Sequence, residues 1–504
     1  MQNFEAERCG MAMMAGIPLR MQQWDWDYFL SQREGVLRLW PTGAQLAGEQ
    51  GIAAGIEYHR TQAWSKYASL RNKRASEEQR IQIVPQVGHA LPEQTIRHMQ
   101  CSEDLRPDRW YVLTDTYTRK SEYAKAQDAV ERSRRDGFSY LNGYPLAAHG
   151  VAGARAVNEC TRAAVGTDNN DEDARLPWEI ALAGGWTWGT IKSIEELIQH
   201  SRDYPVDRNI HNQQYIDRLA AYYTEQGVPI LRRASANLPG WDSLGFKVTV
   251  SLLEVLLSAA QGVKYIDLSL GIGMNLVQDT AAIQALRALA REYLDRFGHP
   301  DVEIYSWTYF YLGEWPLQRG QMVGQLALNA TISALAGCCG MYIKSPDEST
   351  TTPTGEGFRE AMEICGQVVR LIAGQRLPEG PELATERDMI EREVRAVVEK
   401  ILELGDGDVA VGACRAFESG VIDTMFSPYR YLKGRVKVVR DANGALRYLD
   451  PGATPVPREV VEYHRECIAR RERKEGTVAG VRWIVREATW ASRPLADEVA
   501  ERSY

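Results

Sequence analysis

The sequence has no apolar run that approaches the roughly 20 residues needed to cross a bilayer, so no segment reads as a membrane span. It has no CxxC pair either. Its eight cysteines (Cys9, Cys101, Cys160, Cys338, Cys339, Cys365, Cys414 and Cys467) are scattered along 504 residues. Scattered thiols in a chain of this length read as reduced core residues of a cytoplasmic protein, with the vicinal Cys338-Cys339 serving as packing. No basic run carries interleaved aromatics, and the net charge is −8, from 59 Lys and Arg against 67 Asp and Glu. A nucleic-acid partner is therefore not expected, and positive charge that matters to function must be local. The N-terminus is rich in Met and Ala but holds Glu5, Glu7 and Arg8 and no continuous apolar stretch, so it is not read as a secretory signal. Internal repeats and low-complexity tracts are absent.

What is present is an ordinary globular balance, 44% hydrophobic and 25% charged, that can bury a large core. Short β-prone runs occur at Ile81–Val84, Trp110–Thr114, Tyr140–Leu141, Ala163–Val165, Pro229–Arg233, Tyr265–Leu270, Val302–Tyr309 and Met341–Lys344. Helical patterns separate most of them, at Ser121–Arg135, Val248–Ala260, Thr280–Phe297 and Gln321–Ala336. Parallel strands need such crossovers, so this order predicts an α/β fold, a (β/α)8 TIM barrel. Residues 1–25 read as a loosely tied extension. Trp24 to Trp40 reads as an amphipathic helix halted by Pro41 and Gly43, and Ile52 to Glu78 as a further helix. Beyond Glu348 come helical patterns at Gly357–Gly374, Leu383–Leu404 and Glu459–Lys474. Asn443-Gly444 is a hairpin turn between Val436–Arg440 and Ala445–Leu449. The expected organisation is an N-terminal helical extension (1–78), a barrel carrying the site (79–375) and a smaller C-terminal α+β domain (376–504).

Four polar clusters close strand ends: DTYTR (Asp115 to Arg119), YLNGYP (Tyr140 to Pro145), AGGWT (Ala183 to Thr187) and KSPDE (Lys344 to Glu348). Barrels gather their ligand and catalytic residues at the C-terminal ends of strands. By itself a Lys and a Glu four apart reads equally as a solvated pair, and Asn142-Gly143 as a turn. The loop Gly271-Ile-Gly-Met-Asn275 lacks the GxGxxG spacing of a dinucleotide fingerprint.

Taken in this order, the clusters resemble the large catalytic subunit (component E) of coenzyme-B12-dependent glutamate mutase, also called methylaspartate mutase. The likeness runs over roughly residues 28 to 475, including QREGVLRLWPTG (Gln32 to Gly43) and GDGDVAVG…AFESGVID (Gly405 to Asp423). In that family the KxPxE pattern closes the last strand and holds the adenosine of adenosylcobalamin. The resemblance implies that Glu348 takes the ribose hydroxyls and that Lys344 lies near the sugar and purine. Asn142 matches the family's LNGFP asparagine near the adenosine. Leu312-Gly313 stands where the family has Met-Gly beside the nucleoside. Gly88, and Asn275 with Gln278 and Asp279, also fall on the cofactor side. Grip on the remote nucleoside offsets the cost of breaking the cobalt–carbon bond, after which the adenosyl radical takes hydrogen from substrate.

The substrate side departs from the family pattern. Three arginines grip a dicarboxylate in the family, because guanidinium forks hold carboxylates rigidly. Arg119 matches one; Gln86 and Ala164 stand at the other two positions, and Trp186 lies in the neighbouring AGGWT cluster. Thr190 occupies the position of the catalytic base, and Glu196 and His200 those of two substrate-contacting tyrosines. His200 can take a proton at neutral pH and Thr190 cannot, although His200, like His89 and His149, also reads as an ordinary exposed histidine. Such a pocket suits a small acid with one carboxylate and a neutral or cationic second end. The implied enzyme is an isomerase on an amino acid or related acid other than glutamate. The alternatives are glutamate itself, converted to 3-methylaspartate, and a non-catalytic barrel that binds cobalamin or a partner.

No Asp-x-His-x-x-Gly occurs in the chain. In the family that motif supplies the histidine ligand of cobalt from a separate small subunit. The resemblance therefore implies such a partner, with this chain as a dimer within a heterotetramer.

Overall fold

The computed structural model describes residues 13–168 and 172–496. Nine strand segments make one parallel sheet: β1 (Gln82–Val84), β2 (Gln86–Val87), β3 (Arg109–Leu113), β4 (Ala164–Asp168), β5 (Trp188–Ile191), β6 (Leu231–Ala236), β7 (Tyr265–Gly271), β8 (Glu303–Tyr309) and β9 (Gly340–Tyr342). Their order is β1-β9-β8-β7-β6-β5-β4-β3-β2. β1 and β2 are one stretch of chain interrupted at Pro85, which has no N–H to give a ladder. The lower half pairs with β9 and the upper half with β3, so the sheet closes on itself as an eight-stranded barrel. The carbonyl of Pro85 still accepts from the Tyr111 amide at 3.1 Å, which carries the pairing across the break. This is the (β/α)8 architecture expected from the alternation of runs.

Two strand assignments change. Tyr140–Leu141 is not a strand but part of a rim loop, whose sheet-like contact is a single bridge between Thr114 and Tyr144. The missing strand is β5, which begins directly after the polar cluster Ala183 to Thr187. A Gly in a strand ordinarily signals weakness, but here it makes room. A Cβ on Gly189 would sit 2.4 Å from the Trp178 ring, and one on Gly166 would sit 2.2 Å from the Trp188 ring. Tryptophans thus replace alternation as the packing device.

Ile52 to Glu78 is not one helix. Gly48–Tyr58 passes through a π-turn (His59–Ala63) and a 3-10 turn (Trp64–Lys66) before Ala68–Glu77 starts. The buried His59 ring bonds the Leu182 carbonyl at 2.8 Å, and Thr187 Oγ1 donates to the Lys66 carbonyl at 2.7 Å. Such local irregularities re-aim a chain. This one sends Ala68–Glu77 beneath the barrel, where Asn72 bonds Gln82 (2.8 Å) as well as Arg109 and Asp267. Arg109 Nη1 and Asp267 Oδ2 meet at 2.6 Å with both side chains fully buried, and the guanidinium lies 4.4 Å from the Trp307 ring centroid. The barrel floor is therefore sealed by an ion pair.

Residues 13–25 are tied down rather than loose. Asp207 accepts from the amides of Ala15 (2.8 Å) and Ile17 (2.7 Å), and Trp24 is buried 4.6 Å from the His211 ring. Glu5, Glu7, Arg8 and Cys9 lie outside the described residues. Asp25 caps the helix Trp26–Leu37, and Pro41 opens a 3-10 turn (Pro41–Leu46) instead of merely ending the helix.

The helix Leu244–Ala260 is buried along its whole length, because the barrel lies on one side and the helices Pro381–Leu404 and Val409–Ser419 on the other. The hairpin β10 (Lys437–Arg440) and β11 (Leu446–Asp450) turns at Asn443-Gly444, with Gly444 at φ +82°. No described helix is long and apolar enough to cross a membrane, and the seven described cysteines are unpaired.

Candidate functional site

Three of the four polar clusters, DTYTR, YLNGYP and KSPDE, meet at the C-terminal rim, the end of a barrel where sites are built. AGGWT does not close a strand but leads into β5 at the opposite end, where Thr187 Oγ1 donates to the Lys66 carbonyl. After β3, Asp115 caps the turn Thr116–Arg119 by accepting from the amides of Tyr117 (2.9 Å) and Thr118 (3.1 Å). That turn aims Arg119, whose Nε donates to the Thr114 carbonyl at 2.8 Å. Asn142 Oδ1 accepts from Thr116 N (3.1 Å) and Thr116 Oγ1 (3.0 Å), which locks the rim loop to the turn. Two glycines let these segments touch. A Cβ on Gly88 would lie 2.9 Å from Gly143 Cα, and one on Gly143 would lie 2.6 Å from Asp115 N. Gly143→Ala should therefore cost about 1–3 kcal/mol by overpacking and loosen the rim. Urea unfolding gives the stability loss; an unchanged midpoint would mean that the contact is not tight.

Gln86, Gly88, Arg119, Asn142 and Glu348 line one cavity of about 610 Å³, together with His89, His98 and Phe358. Gly313, Trp315, Lys344 and Glu348 line a neighbouring one of about 490 Å³, across which Ser492 and Pro494 of the C-terminal segment are laid. Glu348 belongs to both. Its Oε1 pairs with Lys344 Nζ at 2.9 Å, with side-chain exposures of 30% for Glu348 and 15% for Lys344, so the pair is not a freely solvated one. Lys344 Nζ stands 5.3 Å from the ring centroids of both Phe310 and Trp315. Glu348 Oε2 is buried and has no hydrogen-bond partner among the described residues, a costly state for a carboxylate oxygen unless a ligand completes it.

Of the other predicted residues, Gln86 stays in the cavity wall and the rest are placed elsewhere. Gln86 Nε2 donates to Tyr309 OH at 3.3 Å across the cavity floor. Thr190 is buried in the barrel interior, its Oγ1 accepting from Arg233 Nη2 at 3.1 Å. Ala164 opens β4 opposite Arg109, at the end of the barrel remote from the rim. Trp186 is fully buried, its Nε1 donating to the Ala154 carbonyl at 2.9 Å. Glu196 is buried and pairs with His200 Nδ1 at 3.1 Å beyond β5; neither lines the two cavities. Leu312 gives its carbonyl to the Gly240 amide at 2.6 Å and packs beside the second cavity's wall. Asn275 caps the helix Leu276–Arg296 and donates through Nδ2 to the Asn443 carbonyl at 2.9 Å, so it docks the hairpin.

Two groups escaped the sequence reading. Arg233 lies inside the barrel, 4.3 Å from the Tyr342 ring centroid, and bonds Tyr111 OH at 3.1 Å. Nothing in an arginine within a strand announces that it points inward. His98, on the helix Pro92–Gln100, stands against His89 with His89 Nε2 and His98 Nδ1 2.9 Å apart. Burial, with the His89 ring beside it, pushes His98 down to about 3, and burial also lowers His89. A spacing of nine residues carries no motif that would have paired them.

A family model and the similar sequences agree on one family. A family model described as Methylaspartate mutase E chain (MutE) matches residues 65–491. The glutamate mutase epsilon subunit of Desulfitobacterium hafniense (strain Y51) is 36% identical over 463 residues, covering 91% of this chain and 94% of that one. The glutamate mutase epsilon subunit of Yersinia enterocolitica is 33% identical, covering 93% and 96%, and that of Escherichia coli O157:H7 is 32% identical, covering 91% and 95%. With a closed parallel barrel, a polar rim and similarity over nine-tenths of its length, the chain belongs to the methylaspartate mutase E-chain family and is the catalytic subunit of an isomerase.

Proposed function

We propose that this chain is the large subunit of an adenosylcobalamin-dependent carbon-skeleton mutase whose substrate is an amino acid or related acid other than glutamate. The observation that carries the cofactor is Glu348 Oε2, a buried carboxylate oxygen without a partner among the described residues, on a side chain that lines two neighbouring cavities. A vicinal diol such as a ribose fits it, because a carboxylate accepts from two hydroxyls. Phe310 and Trp315 beside Lys344 offer flat apolar surface for a purine. The residues present therefore fit the nucleoside of adenosylcobalamin. When bound, that cofactor supplies the carbon radical that starts the rearrangement. The chain's own residues hold the nucleoside, orient the substrate over the barrel mouth and keep water from the reacting carbon.

The substrate cavity supports the change of specificity. Arg119 is the one guanidinium among its lining residues, and Gln86 takes the place where a second would stand. A single fork holds one carboxylate; a second carboxylate would be desolvated without a cation beside it. Because the chain contains no Asp-x-His-x-x-Gly, we assign the cobalt ligand to a small partner subunit, with two copies of each chain in the complex.

The test is to combine this chain with its small subunit and adenosylcobalamin and to follow products from a panel of amino acids by NMR. Isomerisation of an acid other than glutamate is the expected result. Turnover of glutamate alone would restore the 3-methylaspartate reading; cofactor binding with no turnover of any acid would favour a non-catalytic binding barrel.

A further inference from the structure

The wall of the Arg119 cavity holds a pair of histidines with no role in the reading above. His89 follows β2, and its amide donates to Thr95 Oγ1 at 3.2 Å. His98, one helical turn beyond Thr95, is buried, with its ring centroid 5.7 Å from that of Phe358. His98 Nδ1 and His89 Nε2 are 2.9 Å apart, and both residues line the cavity. The next residue is fixed too, since the Ala90 carbonyl is bonded by His149 Nε2 at 2.8 Å. The dyad therefore sits on a braced stretch of chain and not on a free loop.

The position of the shared proton follows from what surrounds the rings. His98 Nε2 is buried and has no partner among the described residues. Were His89 the donor, the neutral His98 would carry its hydrogen on that nitrogen and bury an unpaired N–H. With His98 Nδ1 as donor, the same nitrogen is a bare acceptor, and an orphaned acceptor is the less costly of the two. His89 then accepts at Nε2 and carries its own hydrogen on Nδ1. Nδ1 has no partner among the described residues, while the ring lines the cavity. Both rings stay neutral, in keeping with the lowering that burial imposes on each.

We propose that His89, held in its Nδ1–H tautomer by His98, donates a neutral hydrogen bond to the distal end of the substrate and selects an amide or carbonyl there over a carboxylate. His89 is the substrate-binding group and His98 a positioning residue. The inference rests on the mutase reading of this cavity, in which Arg119 holds the substrate carboxylate. Gln86 stands in the same wall, so the distal group meets two neutral polar side chains and no second guanidinium. An amide is both donor and acceptor and satisfies such a wall; a distal carboxylate would leave water without a cation to receive it.

Glutamine and glutamate differ only in that distal group and serve as probes. In the complex with the small subunit and adenosylcobalamin, glutamine should bind about tenfold more tightly than glutamate, the scale of one well-placed hydrogen bond. His89→Phe should abolish that preference without changing adenosylcobalamin affinity. His98→Leu should raise KM for the preferred acid more than it lowers kcat, and His98→Asn, which retains a side-chain N–H, should recover most of the loss. Nitrogen-15 spectra of histidine-labelled enzyme should show His89 neutral with its proton on Nδ1, a signal that His98→Leu disperses. Tighter binding of glutamate, equal binding, binding of neither probe, or an Nε2–H His89 would each overturn the assignment. Loss of cofactor binding by the unmodified complex would instead overturn the mutase reading and leave the tautomer to be judged by its own spectrum.

Discussion

Replacing Glu348 with Gln should weaken adenosylcobalamin binding by the assembled enzyme about a hundredfold and leave the melting temperature nearly unchanged. Two charge-assisted hydrogen bonds to a diol are each worth about 1.5–3 kcal/mol, and the amide keeps one neutral acceptor, so a net loss of about 3 kcal/mol is expected. The fold should tolerate the change because, among the described residues, Glu348 is bonded only through Lys344 and one backbone turn, while its second oxygen has no partner there. Lys344 keeps its place against Phe310 and Trp315. A titration followed by absorbance gives the affinity, and a thermal melt controls for folding. An affinity equal to that of the parent enzyme would remove Glu348 from the nucleoside site and leave its buried oxygen without an account.

Arg109→Met should be the most destabilising single change, costing about 3–5 kcal/mol, because it leaves the Asp267 carboxylate buried without its cation. Burial already pushes Asp267 above the usual carboxylate range, and Arg109 is the first influence holding it down. The loss should read out as a lower urea midpoint with an unchanged slope. The double variant Arg109→Met, Asp267→Leu should recover much of it, since well-packed apolar side chains replace buried pairs at little cost. A single variant as stable as the parent would mean that Asn72 and Gln82 alone satisfy the floor.

The barrel was legible because short β-prone runs alternate with helical patterns, and the parallel sheet follows from the crossovers. β5 was not, since Trp188-Gly189-Thr190 carries a strand's backbone with a packing scheme of rings over glycines in place of alternation. The bend at His59–Ala63 was hidden because no Gly or Pro marks it; tertiary bonds from Leu182 and Thr187 impose it. Among the site residues, those in clusters with distinctive spacing (Lys344, Glu348 and Arg119 at strand ends, Asn142 in the rim loop) stand around the two cavities. Thr190, Glu196 and His200 depend on spacing alone, and spacing does not say which side chains reach a cavity; Ala164 and Trp186 sit in short motifs that mark no strand end. The histidine dyad depends on a helix returning His98 to the rim, which is a property of the fold and not of the local sequence.

The broken first strand also bears on how the molecule is made. Gln82–Val84 leaves the ribosome long before its neighbour Gly340–Tyr342, so through most of synthesis this edge has no mate. Pairing so distant in sequence is slow to form, and an open parallel edge invites association with other chains. The helix Ala68–Glu77 emerges earlier and can cover the floor from the start, with Asn72 waiting for the arginine and aspartate it will bridge. A nascent chain stopped before Tyr342 would lack Lys344 and Glu348 and carry the rest of its rim along an unclosed sheet, unable to enclose a radical.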